Sequence, residues 1–276
     1  MKRIAFQGEP GAYSEAAALA YFGEENEPVP CETFDIVFER VTNGGCDYGM
    51  VPIENSLAGS IHQNYDLLLR HDLKIIGEHI LRVEHCLIVL PEATFEDLRT
   101  VMSHPQALAQ CDGFIRSHGL AREAAYDTAG SVKILRETGR RDTAAIASRR
   151  AALVYGMKVI AENIEDDPGN FTRFLALGRE EAESDQTGSS SAPHKTSIVF
   201  ALPNVPGALH SALGIFALLD IDLTKVESRP VAGKPWEYLF YLDFADSAHE
   251  ERGQTALIQL GELATYLRLF GSYQRA

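Results

Sequence analysis

The chain has 276 residues, enough for two domains of ordinary size, with 45% apolar residues and a formal charge of −14 at pH 7. That acidity excludes a general nucleic-acid or anionic-membrane surface, although a local cationic group can still hold a small anion. No apolar run approaches the length that spans a bilayer, and Cys31, Cys46, Cys86 and Cys111 are scattered without CxxC or metal-ligand spacing.

The cysteines read as small apolar residues of a reduced protein. The opening "MKRIAFQGEPGAYSE" lacks the apolar region of a signal peptide. A cytoplasmic protein without metal or cofactor is expected.

In chain order, Lys2–Phe6 is strand-like. "YSEAAALAYF" follows as a helix, with Ser14 as its expected N-cap and Ala17 and Ala18 behind it. "FDIVFERV" has helical spacing, "DYGMVPIEN" is a strand running into a loop, and "SIHQNYDLLLRH" is amphipathic. "LKIIGEHILRVEHCLIVL" is a long β-rich stretch able to cross between two lobes. "RTVMSHP" reads as strand, "PQALAQCDGFIRSHG" as one helix with Pro105 in its first turn, "SVKILRETG" as helix and "TAAIAS" as strand. "RRAALVYG" and "MKVIAEN" add a helix and a strand, and Phe171–Leu177 a half-buried strand. This alternation predicts α/β layers with parallel-rich sheets over residues 1–178.

Residues 179–195, "REEAESDQTGSSSAPHK", turn acidic and then Gly/Ser-rich without a large apolar residue, which is linker composition. Residues 196–276 then give strand, helix, strand, strand, helix, strand, the βαββαβ order of a ferredoxin-like domain. Its "WEYLFYLDF" strand is apolar enough near the middle to be covered on both faces.

Four polar stretches border element ends. "GEPGAYS" (Gly8–Ser14) enters a helix whose N–H groups suit a carboxylate or phosphate; it is equally an ordinary β–α turn. "PIENSLAGSIH" offers Asn55 and Ser56, with Ser60 as a cap for a helix near Ile61; Asn55 has donors and an acceptor but could satisfy only its own turn. "SHPQAL" puts Ser103 and His104 at a strand end, because Pro105 keeps its predecessor out of helix, and Gln106 in the first helical turn. A lone histidine beside proline is more often structural. "DPGNFTRF" runs from a turn into Thr172 and Arg173, placed either at a pocket or on a solvated rim. Ligands of open α/β sheets bind outside strand carboxyl ends, so these stretches can converge on one cleft. With neither nucleophile elbow nor metal cluster nor carboxylate pair in the sequence, hydroxyls, amides and one arginine suit anion binding and stabilisation of moving charge.

Together "GEPGAYSE", "VPIENS", "SHPQAL" and "DPGNFTRF" resemble the prephenate dehydratase family in order and spacing, and the C-terminal "PGAL" and "ESRP" resemble an ACT regulatory domain. The resemblance implies a two-lobed, periplasmic-binding-protein-like catalytic domain. It also implies decarboxylating dehydration of prephenate to phenylpyruvate, a step in phenylalanine biosynthesis. It implies Thr172, Arg173, Asn55, Ser103 and Gln106 as catalytic residues, with Thr172 meeting the departing oxygen and Arg173 gripping a carboxylate. Tyr13, Ser14, Glu54, Ser56 and Phe171 would bind substrate, the two phenylalanines Phe171 and Phe174 anchoring the Thr-Arg pair. Asn204, Pro206, Gly207, Ala208, Leu209, Glu227, Ser228 and Arg229 would bind phenylalanine as allosteric inhibitor in a homo-oligomer, a dimer or a dimer of dimers. Dehydration of arogenate, the amino analogue, is the near alternative; a non-catalytic amino-acid sensor is the distant one.

Overall fold

The chain opens with strand–helix alternation, seen in a computed structural model that describes residues 1–181, 193–231, 233 and 236–276. β1 (Arg3–Gln7), α1 (Tyr13–Phe22), β2 (Glu27–Cys31), α2 (Phe34–Thr42), β3 (Tyr48–Asn55), the short β4 (Gly59–Ser60) and α3 (His62–Arg70) form the first lobe. β5 (Lys74–Arg82) leads to Val83–His85, which carry the chain across to a second sheet. The second lobe comprises β6 (Cys86–Val89), β7 (Thr100–Ser103), α4 (Pro105–Gln110), α5 (Asp112–Ser117), β8 (Ala121–Ala124), α6 (Thr128–Thr138), β9 (Thr143–Ala147), α7 (Arg149–Tyr155) and β10 (Lys158–Ala161). β11 (Phe171–Gly178) returns to the first sheet, whose order is β2-β1-β3-β11-β5 with β4 on β3. The second sheet runs β10-β6-β9-β7-β8. β1 is parallel to β2 and β3, and β7 to β8 and β9, as the strand–helix alternation requires.

The crossing expected of the long β-rich stretch is therefore present. Other expectations change. Helix α1 starts at Tyr13 on an Ala12 N-cap with no side-chain bond, so Ser14 lies inside the first turn. Ser60 pairs with Glu54 in β4, and Ile61 rather than Ser60 precedes α3. The single helix expected from Pro105 breaks at Cys111, where Asp166 takes over: its carboxylate accepts the Gly113 N–H (3.1 Å) and its N–H donates to the Gln110 carbonyl (2.7 Å). Pro105 does occupy the first turn of α4. Strand β2, "EPVPC", carries two prolines, which lack a ladder N–H; it stands at the sheet edge, where such residues are tolerated.

Phe6 and Ala12 of the first lobe share one buried cluster with Ile88, Ala129, Ala145 and Ala151 of the second. Gly11 makes that approach possible: a Cβ there would lie 2.6 Å from Ala151 Cα.

β12 (His194–Ala201), α8 (Ala208–Leu218), β13 (Leu223–Pro230), β14 (Tyr238–Phe244), α9 (Glu251–Leu263) and β15 (Tyr266–Gln274) complete the chain. Their sheet order, β13-β14-β12-β15 and antiparallel throughout, is the ferredoxin-like arrangement expected. β14 is covered on both faces over Tyr241–Phe244, as its apolar run predicts. Most of the expected linker lies outside the described residues, and its last two positions, His194 and Lys195, already belong to β12.

The chain divides into two compact units: Met1–His71 with His79–Leu175, and Asp72–Glu78 with Ala176–Ala276. The start of β5 thus belongs with the C-terminal unit. There Glu78 and Lys195 form a buried ion pair (2.6 Å), and Gly271 lets its strand close on the Ile75 backbone.

Candidate active site

The two lobes of the first unit enclose a cavity of about 680 Å³. α1 reaches it through Tyr13 and Ser14, α2 through Thr33 and Phe34, α3 through Ile61 and Gln63, and α6 through Asp127 and Thr128. Helix N-termini carry partial positive charge on unsatisfied N–H groups. Thr33 and Asp127 accept the Ile36 and Gly130 N–H groups at 3.3 and 3.0 Å. α1 and α3 have no side-chain cap, which leaves first-turn donors for an anion. Among the described residues no lysine or arginine lines the cavity, and its carboxylates are Glu32 and Asp127.

β11 brings Thr172 and Phe174 into the wall, both buried. Strand side chains alternate between faces, so Arg173 is directed away and does not line the cavity. The expected guanidinium grip from Arg173 is corrected on that ground. Asn55 fixes the threonine instead. Its Oδ1 accepts the Leu57 and Ala58 N–H groups (3.1 and 2.9 Å). That orientation turns Nδ2 to donate to Asn170 Oδ1 (2.8 Å), Phe171 O (3.2 Å) and Thr172 Oγ1 (3.0 Å). With Oγ1 accepting, the threonine proton has no protein acceptor among the described residues.

Tyr13, Ser14, Asn55, Gln106 and Thr172 thus meet at one cavity, with Ser60 and His104 beside them. The other expected residues do not join them. Ser103 is fully buried and donates to the Ile146 carbonyl (2.6 Å), a structural bond at the end of β7. Ser56 pins the Pro-Gly-Asn turn, donating to Gly169 O (2.7 Å) and accepting from Phe171 N (2.9 Å). Phe171 is 41% exposed, so only Phe174 of the two phenylalanines anchors the strand. Glu54 pairs with Ser60 across β3 and β4 and does not reach the lining.

Sequence reading missed a second polar group in the wall. His85, in the crossing segment, is buried. Its Nδ1 lies 2.9 Å from the Tyr13 phenol oxygen, and its Nε2 lies 2.9 Å from the Gln110 side-chain amide. Tyr13 donates to the Glu84 carbonyl at 2.6 Å. Burial lowers the His85 pKa from its ordinary value and raises that of Tyr13. Nothing in "VEHCLIV" separates this histidine from the strand that follows it. His104 accepts the Gln106 N–H on Nδ1 (3.2 Å), so its proton resides on Nε2.

In the C-terminal unit, Asn204, Ala208 and Leu209 line a small cavity of about 110 Å³ with Leu202, Tyr238 and Phe240 among its apolar walls. Pro206 and Gly207 shape the turn, Gly207 being the left-handed N-cap of α8 (φ 86°). Glu227, Ser228 and Arg229 lie on β13 and do not line this cavity.

Residues 4–182 match the family model described as "Prephenate dehydratase". "Arogenate dehydratase/prephenate dehydratase 2, chloroplastic" of Arabidopsis thaliana is 49% identical, over 98% of this chain and 72% of that protein. The structure of a prephenate dehydratase from Arthrobacter aurescens in complex with L-Phe is 31% identical with a TM-score of 0.90, covering 99% of this chain and 90% of that one. A structure described as GqqA, a novel type of quorum quenching acylases, is 34% identical with a TM-score of 0.92, covering 100% and 98%.

Proposed function

The chain belongs to the prephenate dehydratase family, and on that premise we propose that it catalyses decarboxylating dehydration of prephenate or its amino analogue arogenate. In this reaction the ring C–O bond breaks, the ring carboxylate leaves as CO2, and the electron pair of the broken C–C bond completes the aromatic ring. The departing hydroxide takes up one proton and leaves as water. The barrier lies in expelling hydroxide, so a donor aimed at that oxygen is what the protein must supply. The observation that carries the reading is the Thr172 hydroxyl, whose oxygen is occupied by Asn55 and whose proton remains for a ligand in the cavity. A threonine is too weak an acid to surrender that proton, so it stabilises the leaving oxygen by hydrogen bonding. His104, with its proton on Nε2, lines the same cavity and can donate a second hydrogen bond to the leaving oxygen, while the proton that completes water comes from solvent. Substrate carboxylates are held by the uncapped starts of α1 and α3 rather than by a guanidinium. Spectrophotometric assay of aromatic product from each compound tests the proposal; absence of product from both refutes it.

The C-terminal unit is read as an ACT-type regulatory domain that binds L-phenylalanine and inhibits the enzyme in a homodimer or dimer of dimers. An L-Phe complex of a relative and the apolar cavity beside Asn204 support this reading. Linkage requires substrate and phenylalanine to weaken each other's binding by one common factor. Calorimetric titration without a phenylalanine signal would remove the claim. The four buried, free cysteines support a reducing compartment, consistent with the expected cytoplasmic placement. Among the described residues no helix is long and apolar enough to cross a membrane.

A further inference from the structure

His85 joins three things in one chain of contacts: the Glu84 carbonyl, the Tyr13 phenol and the Gln110 amide. A proton inventory along that chain is restrictive. The Tyr13 oxygen stands 2.6 Å from a carbonyl oxygen that can only accept, so the single phenolic proton must lie between them. Tyr13 therefore has only its lone pairs to offer His85, and Nδ1 must carry a proton to donate to them. Two states remain for the ring. An imidazolium would donate from Nε2 to the Gln110 oxygen; a neutral ring has a bare Nε2 that must accept from the Gln110 NH2 group.

The surroundings choose between them. The ring is 1% exposed, and burial disfavours the cation. Glu165 pulls the other way, accepting the His85 backbone N–H at 2.9 Å, but its carboxylate is engaged by Arg82 at 3.3 Å. Tyr13 and Gln110, the other groups on the ring, are neutral. The structure sets the Gln110 Oε1 at 2.9 Å from Nε2, and a half-turn of the nearly isosteric amide exchanges its oxygen and nitrogen so that the neutral ring holds the NH2. The Gln110 oxygen then takes the place of the amide nitrogen, on a side chain that lines the cavity and has no other hydrogen bond among the described residues.

We propose that Gln110, held by His85 as a positioning residue, presents a carbonyl oxygen to the substrate side chain and selects an ammonium there over a ketone. This rests on the dehydratase reading and specifies its substrate: arogenate above prephenate. The rest of the wall agrees, since Asp127 and Glu32 are its only carboxylates, no lysine or arginine lines it among the described residues, and both carboxylates favour an ammonium over a neutral ketone. A ketone oxygen facing the Gln110 oxygen would set acceptor against acceptor, whereas an ammonium donates to it. Hydrogen bonds involving a charged group contribute about 1.5–3 kcal/mol, or roughly ten- to a hundredfold in selectivity.

The test compares kcat/KM for arogenate and prephenate in the wild type, Gln110→Met and His85→Asn, with circular dichroism as the check on folding. Wild type is expected to prefer arogenate. Gln110→Met loses about ten- to a hundredfold on arogenate with prephenate far less affected. His85→Asn keeps a donor to Tyr13 but frees the amide, so the preference falls while both substrates still turn over. Independently of activity, imidazole 15N shifts should report a neutral ring protonated on Nδ1. A proton on Nε2 alone, or an unchanged substrate ratio in folded Gln110→Met, overturns the proposal. Failure of the wild type on both compounds instead strikes the dehydratase reading and takes this inference with it.

Discussion

The role proposed for Thr172 rests on a neighbour as much as on its own chemistry. Two backbone N–H groups hold the Asn55 oxygen, its nitrogen donates to Oγ1, and the threonine proton is thereby directed to a ligand. Thr172→Ala is expected to lower kcat by roughly 10²–10³, while Thr172→Ser keeps the hydroxyl and most of the rate; wild-type turnover in the alanine variant would end the assignment. The thiols give a second check. Burial pushes Cys86 up to about 11 and Cys111 higher still, so at pH 8 only about 10⁻³ of Cys86 is the reactive thiolate. Native protein should resist iodoacetamide at both positions and react fully in urea, read by mass spectrometry. At this scale the sequence was legible where turn chemistry marks an element end: Tyr13, Asn55, Gln106 and Thr172 all reach the cavity. It misled at Arg173, although the strand expected there already places consecutive side chains on opposite faces. His85 and Gln110 lay hidden because their partnership spans 25 positions and leaves no local pattern.

Helices matter here through their first turns. α1, α2, α3 and α6 all begin at the cavity, so the loop ahead of each helps to shape it. The loop before α1 is the most constrained of them. Ser148 Oγ donates to the Gly11 carbonyl at 2.6 Å, the Glu15 carboxylate accepts the Gly11 N–H, and the glycine itself has φ +91°. Gly11→Ala meets both a disfavoured backbone region and the Ala151 backbone at 2.6 Å. A loss of about 1–3 kcal/mol is expected, measured as a lower urea midpoint, together with a raised KM because Tyr13 and Ser14 shift with the helix start. An unchanged midpoint and KM would show that the loop tolerates a side chain and does not position α1. Strand–helix alternation and Pro105 were readable because period and turn chemistry are local. The break at Cys111 was not, since Asp166, which stabilises it, comes from a segment more than fifty residues later.

On the scale of the whole molecule, the boundary between units follows contacts that no composition change announces. A Gly/Ser-rich stretch marks where a linker is expected, yet Asp72–Glu78, far upstream, belongs with the C-terminal unit. One reason is electrostatic. Glu78 is fully buried, Lys195 nearly so, and Nζ lies 2.6 and 2.8 Å from the two carboxylate oxygens. The Ala276 N–H also donates to Glu78 at 3.1 Å. Each charge was stripped of water on folding, so the pair's net worth is small while either member alone is costly. Lys195→Met is expected to destabilise the C-terminal unit by about 3–5 kcal/mol, because the Glu78 carboxylate stays buried without its cation. Adding Glu78→Leu to that variant removes the stranded charge and should recover most of the loss, an outcome opposite to simple addition of two harmful substitutions. Urea unfolding of the two single variants and the double variant separates the cases. A Lys195→Met cost below about 1 kcal/mol is what a solvated surface pair gives, and it would mean that Asp72–Glu78 is held by its other contacts, among them the Arg268–Asp72 pair and the Ala276 N–H on Glu78.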